Sequence, residues 1–167
     1  MIYILRHIAS VLALPTMATV LIPVWIARTR GVAWSRPASS GEAAMVLAGL
    51  LLFAAGGALF TWTLGLFFAR GRGTLAPWDP PMTFVTIGPY RHGRNPMITG
   101  VLLVLIGEAL TLRSPPHAVW AAVFALMNVV YIPLIEEPGL ERRFGRDYTL
   151  YRQNVPRFVP RVTRWKG

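Results

Sequence analysis

Four near-continuous apolar stretches, parted by short polar or Pro/Gly-rich segments, organise the 167-residue chain. They cover about residues 2–27, 42–69, 96–112 and 117–135. A hydrocarbon core of ~30 Å needs about 20 apolar helical residues, so each stretch predicts a transmembrane helix; the third, with roughly 17 residues, sits near the lower limit. Pro15 and Pro23 lie inside the first stretch and predict a bend, tolerated where neighbours or water re-satisfy the freed carbonyls. The second stretch carries Gly49, Gly56, Gly57 and Gly65, small residues that let helices approach closely in lipid and can support a dimer. Residues 28–40 read as a loop, residues 70–95 as a long Pro/Gly-rich connection, and Arg113-Ser114-Pro115-Pro116 as a tight turn. The first stretch is long for a cleaved signal and no clean small-residue site follows it, so it is kept as a mature helix.

Past the fourth stretch the period changes. Leu140, Phe144, Tyr148 and Tyr151 recur at spacings of four, four and three, a helical stripe with Arg142, Arg143, Arg146 and Arg152 on the other faces. Pro138 fits the first turn of this helix with Glu137 as its cap, and Pro156 and Pro160 end it. The expected fold is an all-α integral membrane protein, four spans plus a cytoplasmic C-terminal amphipathic helix. It forms one membrane domain: residues 1–69 supply two N-terminal spans and residues 70–160 a second region.

Composition agrees, with 54% hydrophobic and 14% charged residues, far from the roughly one-quarter charged of a soluble domain. Seventeen Lys+Arg stand against seven Asp+Glu, and the basic residues flank apolar spans, which favours an anionic membrane face over nucleic acid. With the N-terminus inside, Arg6, Arg70, Arg72, Arg91, Arg94 and the eight basic residues of the tail face the cytoplasm, against Arg28, Arg30, Arg36 and Arg113 outside. That bias puts both termini in the cytoplasm, and the chain reads as a bacterial inner-membrane protein. The absence of cysteine removes disulfides, thiolate metal sites and thiol nucleophiles.

Glu136 and Glu137 close the fourth stretch, where an unpartnered charge is costly. They predict either a site for a cationic or zwitterionic small molecule or a helix cap paired with arginine. Glu108, inside the third stretch, reads as a functional carboxylate or as the ion-pair partner of nearby Arg113. Asn128 is expected in an interhelical hydrogen bond, and His117 and His7 are expected to be solvated.

The run Gly88-Pro89-Tyr90-Arg91-His92-Gly93-Arg94-Asn95-Pro96-Met97-Ile98-Thr99-Gly100 resembles the Arg-His/Asn-Pro-x-Tyr-x-Gly signature of the isoprenylcysteine carboxyl methyltransferases. Its Asn-Pro-Met form is similar to the phospholipid N-methyltransferases. Glu136-Glu137-Pro138-x-Leu140, Phe144-Gly145, Asp147-Tyr148, Tyr151 and Val155-Pro156-Arg157-Phe158-x-Pro160 resemble that family's C-terminal block, in the same order. The resemblance covers about residues 70–160.

What it implies is an S-adenosylmethionine-dependent membrane methyltransferase without a Rossmann sheet or metal. Its cofactor cavity would lie between the last two spans on the cytoplasmic side. Glu136 or Glu137 would meet the cofactor ammonium, and Arg94 with the helix start at Asn95 and Pro96 its carboxylate, facing the acids across the cavity. Tyr90, Met97, Gly100, Tyr148 and Tyr151 would enclose the rest. Arg70, Arg72 and Trp78 would serve the acceptor, a lipid or other lipophilic molecule admitted between the first two spans. Arg70, Arg72 or Arg91 would orient a carboxylate acceptor, and Asp79 would take the proton of an amine acceptor. Two departures stand out: Asn95 replaces the common His and cannot titrate, and Ile98 replaces the common Tyr. A membrane reductase of the sterol-reductase type, using NADPH, and a non-catalytic protein with the same fold are the rival readings.

Overall fold

The computed structural model describes residues 14–66, 69 and 84–166, and every structural statement below concerns these residues. Helices account for the regular structure, with no strand among the described residues. In chain order they are α1 (Ile22–Arg30), α2 (Ser40–Leu66), a 3₁₀ turn (Gly88–Arg91), α3 (Pro96–Thr111), α4 (Pro115–Tyr131) and α5 (Glu137–Asn154).

Two prolines shape the helix path through the same device. A π-helical turn, Met17–Leu21, leads into α1 two residues before Pro23, and another, Ile132–Glu136, leads into α5 two residues before Pro138. Proline lacks an N–H and crowds the carbonyl four residues back, and widening the preceding turn relieves that crowding. The amides of Ile22 and Glu137 accordingly reach back five residues, to the carbonyls of Met17 and Ile132. The expected bend in the first stretch takes this form.

Helix ends follow local chemistry. α1 runs one turn past Ala27, into the segment expected as loop, and stops at Gly31, whose φ of 63° is left-handed. The Gly31 and Val32 amides both cap the Ala27 carbonyl. α2 is stapled at its start by reciprocal bonds: Ser39 Oγ accepts from the Glu42 amide and the Glu42 carboxylate accepts from the Ala38 amide.

α2 and α3 pack antiparallel at glycine contacts. An added Cβ at Gly56 would lie 2.6 Å from the Gly100 carbonyl, and one at Gly49 would lie 2.8 Å from the Gly107 carbonyl. The four glycines fall seven residues apart on each helix, so two full turns separate the contacts and both occur on one seam. Gly57 and Gly65 meet nothing and lie off it. α4 closes the other side of α3 through Val101, Leu105 and Ala121, with Ala18 from the first segment. The Trp120 indole donates to the Ala18 carbonyl at 2.9 Å and ties the first segment to α4.

Elsewhere the surface is apolar. Leu47, Leu51 and Trp62 of α2 and Val119, Leu126 and Val130 of α4 are exposed. α2 and the continuous helical run Pro115–Asn154 are long and apolar enough to cross a membrane, while α3 is shorter. Such surface is unfavourable in water by about 25 cal/mol per Å², and a bilayer removes that cost.

Several side chains depart from expectation. Glu137 caps nothing: α4 passes through the π turn into α5 with helical backbone throughout, so no free amide end exists there to be capped. The break falls instead at Gly145, whose φ of 53° and ψ of −124° suit glycine alone. Arg113 pairs with Glu42 and Ser35, leaving Oε2 of Glu108 buried with no partner. His117 is 2% exposed, its Nδ1 bonded to Ser114 Oγ at 2.7 Å, because the turn folds both inward. Asn128 donates to Phe124 of its own helix, not across to another.

The glycine seam makes a sharp prediction. Gly56→Val drives a side chain into backbone that cannot give way, and should destabilise the detergent-solubilised protein by about 1–3 kcal/mol in thermal melting. Gly57→Ala, one residue on, enters open space and should be neutral or stabilising by up to about 1 kcal/mol.

Candidate functional site

The site is built where two distant segments are tied together. The 3₁₀ turn begins at Gly88, whose φ of 60° reverses the chain, and closes with the His92 and Gly93 amides on the Pro89 carbonyl. The C-terminal segment, residues 155–165, runs beside it as a strap. The Arg94 amide donates to Pro156, the Arg161 amide to His92 and the Trp165 amide to Arg91, each carbonyl at 2.9–3.0 Å. Asn95 Nδ2 adds a bond to the Arg157 carbonyl at 3.2 Å. The family-like blocks of the sequence thus meet as one unit.

Glu137 is the centre of that unit. Its Oε1 accepts from Arg94 Nη1 and Arg157 Nε, and its Oε2 from Arg157 Nη2, all at 2.7 Å. The residue is 3% exposed. The fork on Arg157 is bidentate, the strongest arrangement for this pair, and it holds the Arg157 guanidinium above the usual arginine range. Instead of facing Arg94 across a hollow, Glu137 is bonded to it.

Glu136 is placed differently. It is half-buried, and no hydrogen bond or ion pair reaches it from the described residues. Its charge acts on the Tyr90 and Tyr148 hydroxyls, and Arg94 acts on the Tyr148 hydroxyl as well. The Arg94 Nε is buried with no acceptor. An unpartnered carboxylate and an orphaned guanidinium N–H therefore flank one tyrosine, which is the charge pattern that an ammonium and a carboxylate on neighbouring atoms require.

The aromatic residues hold the frame. Tyr148 and Tyr151 are buried with Val155, and Phe84, Phe144, Leu140 and Trp165 pack on them. The Phe84 ring stands edge-on to Tyr151 at 5.0 Å and to Tyr148 at 5.7 Å. Tyr151 donates its hydroxyl to the Tyr90 carbonyl at 2.7 Å, and burial raises its pKa, so it stays a donor. The stripe read from the sequence reaches this cluster only through the bend at Gly145.

A cavity of about 460 Å³ lies on the other side of the 3₁₀ turn. Leu59 and Trp62 of α2, Asn95, Pro96 and Thr99 at the start of α3, and Arg91, His92, Arg157 and Arg164 line it. It sits between α2 and the start of α3 and under the strap, not between α3 and α4. There the apolar contacts of Val101, Leu105 and Ala121 fill the space. Gly100 faces Gly56 and Phe60 in the helix seam, and Met97 is half-buried near the start of α3. Arg70, Arg72, Trp78 and Asp79 lie outside the described residues. The sequence reading passed over His92 and Arg164. The signal for Arg157 was present in its Pro-Arg-Phe-x-Pro context, and His92 and Arg164 show only through the strap.

A phosphatidylethanolamine N-methyltransferase from Phaeosphaeria nodorum is 32% identical over 88 residues, 52% of this chain and 8% of that protein. The protein-S-isoprenylcysteine O-methyltransferase B of Arabidopsis thaliana is 36% identical over 78 residues, 47% of this chain and 40% of that protein. The chain thus spans well under half the length of these curated relatives. No solved structure matches it. The model of the phospholipid methyltransferase family matches residues 43–147, which takes in the glycine seam, the Arg-Asn-Pro corner and both glutamates. With most of its length matched in this way, the chain belongs to the phospholipid methyltransferase family.

Proposed function

We propose that the protein transfers a methyl group from S-adenosylmethionine to a lipophilic, membrane-borne acceptor through a carboxyl or amine group. The observation that carries this reading is the division between the two glutamates. Glu137 is saturated by Arg94 and Arg157, and Glu136 stands beside it without a partner. A second cation gains little from Glu137, whose charge is already balanced twice. Burial, and after it the charge of Glu137, push the Glu136 carboxyl up to about 7, and an ammonium beside it would hold it ionised and gain a counter-charge.

The residues fit the amino-acid end of that cofactor. Glu136 would receive the ammonium, and the buried Nε of Arg94 would donate to the carboxylate. The charges of both act on the Tyr148 hydroxyl, and that of Glu136 on Tyr90 as well. When bound, the cofactor supplies a methyl carbon made electrophilic by its sulfonium. What the chain adds is position and exclusion of water. The strap and the aromatic cluster hold Tyr90, Arg91 and Arg94 in one orientation, and Arg91 faces the cavity where an acceptor would enter beside Trp62. Both relatives are named as methyltransferases, of a phospholipid and of an isoprenylcysteine protein, which favours this chemistry over the NADPH reductase. By charge bias the site lies at the cytoplasmic end of the bundle.

Two substitutions separate the roles. Glu136→Gln should keep the melting temperature and lower the affinity for S-adenosylhomocysteine about tenfold or more in calorimetry, the loss of one charged hydrogen bond. Binding of NADPH with no binding of S-adenosylhomocysteine would end the proposal. Glu137→Gln leaves two guanidiniums without their counter-charge and should destabilise the fold by about 3–5 kcal/mol, seen as loss of a cooperative melt. An unchanged melt would show that the triad is dispensable.

A further inference from the structure

The middle of the strap turns apolar side chains outward. Val159 is 76% exposed, Val162 96% and Phe158 39% among the described residues. A lone surface valine is ordinary, but these side chains fall close together and are flanked by cations, which makes a patch. The patch is not free to fold inward. Arg157 is held by its fork on Glu137, the Arg161 amide by the His92 carbonyl and the Trp165 amide by the Arg91 carbonyl. The Trp165 ring also packs on Tyr151, with centroids 5.5 Å apart. With the backbone pinned on both sides, the side chains between keep their outward aim.

The neighbours of this tip fix its depth. Phe158, Pro160 and Arg164 line one cavity with Leu59 and Trp62 of α2. Trp62 stands one turn, about 6 Å, before the end of α2 at Leu66, and it is exposed. An indole at that place in an apolar span marks the boundary between hydrocarbon and headgroups. The strap tip shares that level, so its patch continues the lipid-facing surface of α2.

Charge names the lipid. Residues 155–166 hold four basic residues and no acidic one. Arg157 is committed to Glu137, and Arg161 donates to the Asn154 carbonyl and the Thr163 hydroxyl. Arg164 and Lys166 are exposed and have no ion-pair partner among the described residues. Long cationic side chains beside an apolar patch reach headgroups while the patch meets acyl chains. An acidic protein could satisfy the two cations, but continuity with Trp62 puts lipid against the patch.

We infer that the strap tip is a membrane anchor: Phe158, Val159 and Val162 enter an anionic leaflet, and Arg164 and Lys166 rest on its headgroups. The anchor holds the strap over the Arg-Asn-Pro corner from the membrane side. It is a property of this surface and does not depend on methyl transfer.

The test places one nitroxide label at the tip. The chain has no cysteine, so Val162→Cys gives a single attachment site. The full chain is reconstituted in nanodiscs of phosphatidylcholine alone or with phosphatidylglycerol; neither lipid carries a free amine, so no amine acceptor is present. In the anionic discs the label should be open to oxygen and shielded from a water-soluble nickel complex. Its oxygen-to-nickel accessibility ratio should stand about tenfold above that in neutral discs. Adding Arg164→Gln/Lys166→Gln should return the ratio to its neutral-disc value while the melting temperature holds, because neither side chain is paired. A label open to nickel in both lipids would overturn the anchor and leave the patch to a soluble partner. Equal shielding in both lipids, or shielding that survives the double substitution, would overturn the assignment to anionic headgroups. Shielding in neutral detergent that grows with protein concentration would give the tip to a second copy of the chain and overturn the anchor as well.

Discussion

A single buried carboxylate, that of Glu137, joins three parts of the chain that lie far apart in sequence. It lies at the start of α5, Arg94 just before α3, and Arg157 in the strap after the last helix. Burying three charges is unfavourable by several kcal/mol per ion before pairing. The bidentate fork and the third bond offset that cost only in one geometry, so the network specifies position more than it adds stability. The strap's backbone bonds and the aromatic cluster act beside it. The strap bonds run outward from Arg94, and the aromatic cluster fixes Tyr90 from behind.

The rest of the bundle supplies a rigid base for that corner. α3 is short for a bilayer, and its glycines bring it against α2 at backbone contact distance. Close approach removes the freedom to slide that larger side chains would leave, so the start of α3, with Asn95 and Pro96, stays in register with Trp62 of α2. The cavity lies just past this seam, lined by Leu59 and Trp62 of α2, by the start of α3 and by the strap. Packing of the membrane helices and shape of the site are thus one problem, settled by four glycines and one carboxylate.

The two glutamates show why adjacency in sequence does not mean equivalence. Successive helical residues point about 100° apart, so the face that buries Glu137 against two arginines leaves Glu136 turned toward Tyr90 and Tyr148. The first becomes part of the frame, and the second keeps a carboxylate that no hydrogen bond reaches from the described residues. Gly145 plays a matching part for the aromatics. Only a residue without Cβ adopts its backbone angles, and the bend there lets Phe144 and Tyr148 reach one cluster.

The sequence by itself determined what depends on local patterns. Apolar run lengths located α2, α3 and α4 to within a few residues, and two of the prolines fall just after the π turns. The paired Arg-Asn-Pro and Glu-Glu-Pro blocks identified the family. It did not reveal which glutamate is bonded, where the cavity opens, or that His117 is buried and Asn128 serves its own helix. Those facts depend on helix rotation, and each π turn inserts a residue that turns the following helix by about 100° relative to a regular one. The strap is the clearest case: residues 155–165 have no periodicity to read, and their place is set by backbone bonds to a segment some 60 residues earlier in the chain. Tertiary structure alone decided that partnership, because a backbone amide carries no mark in the sequence of the carbonyl it will find.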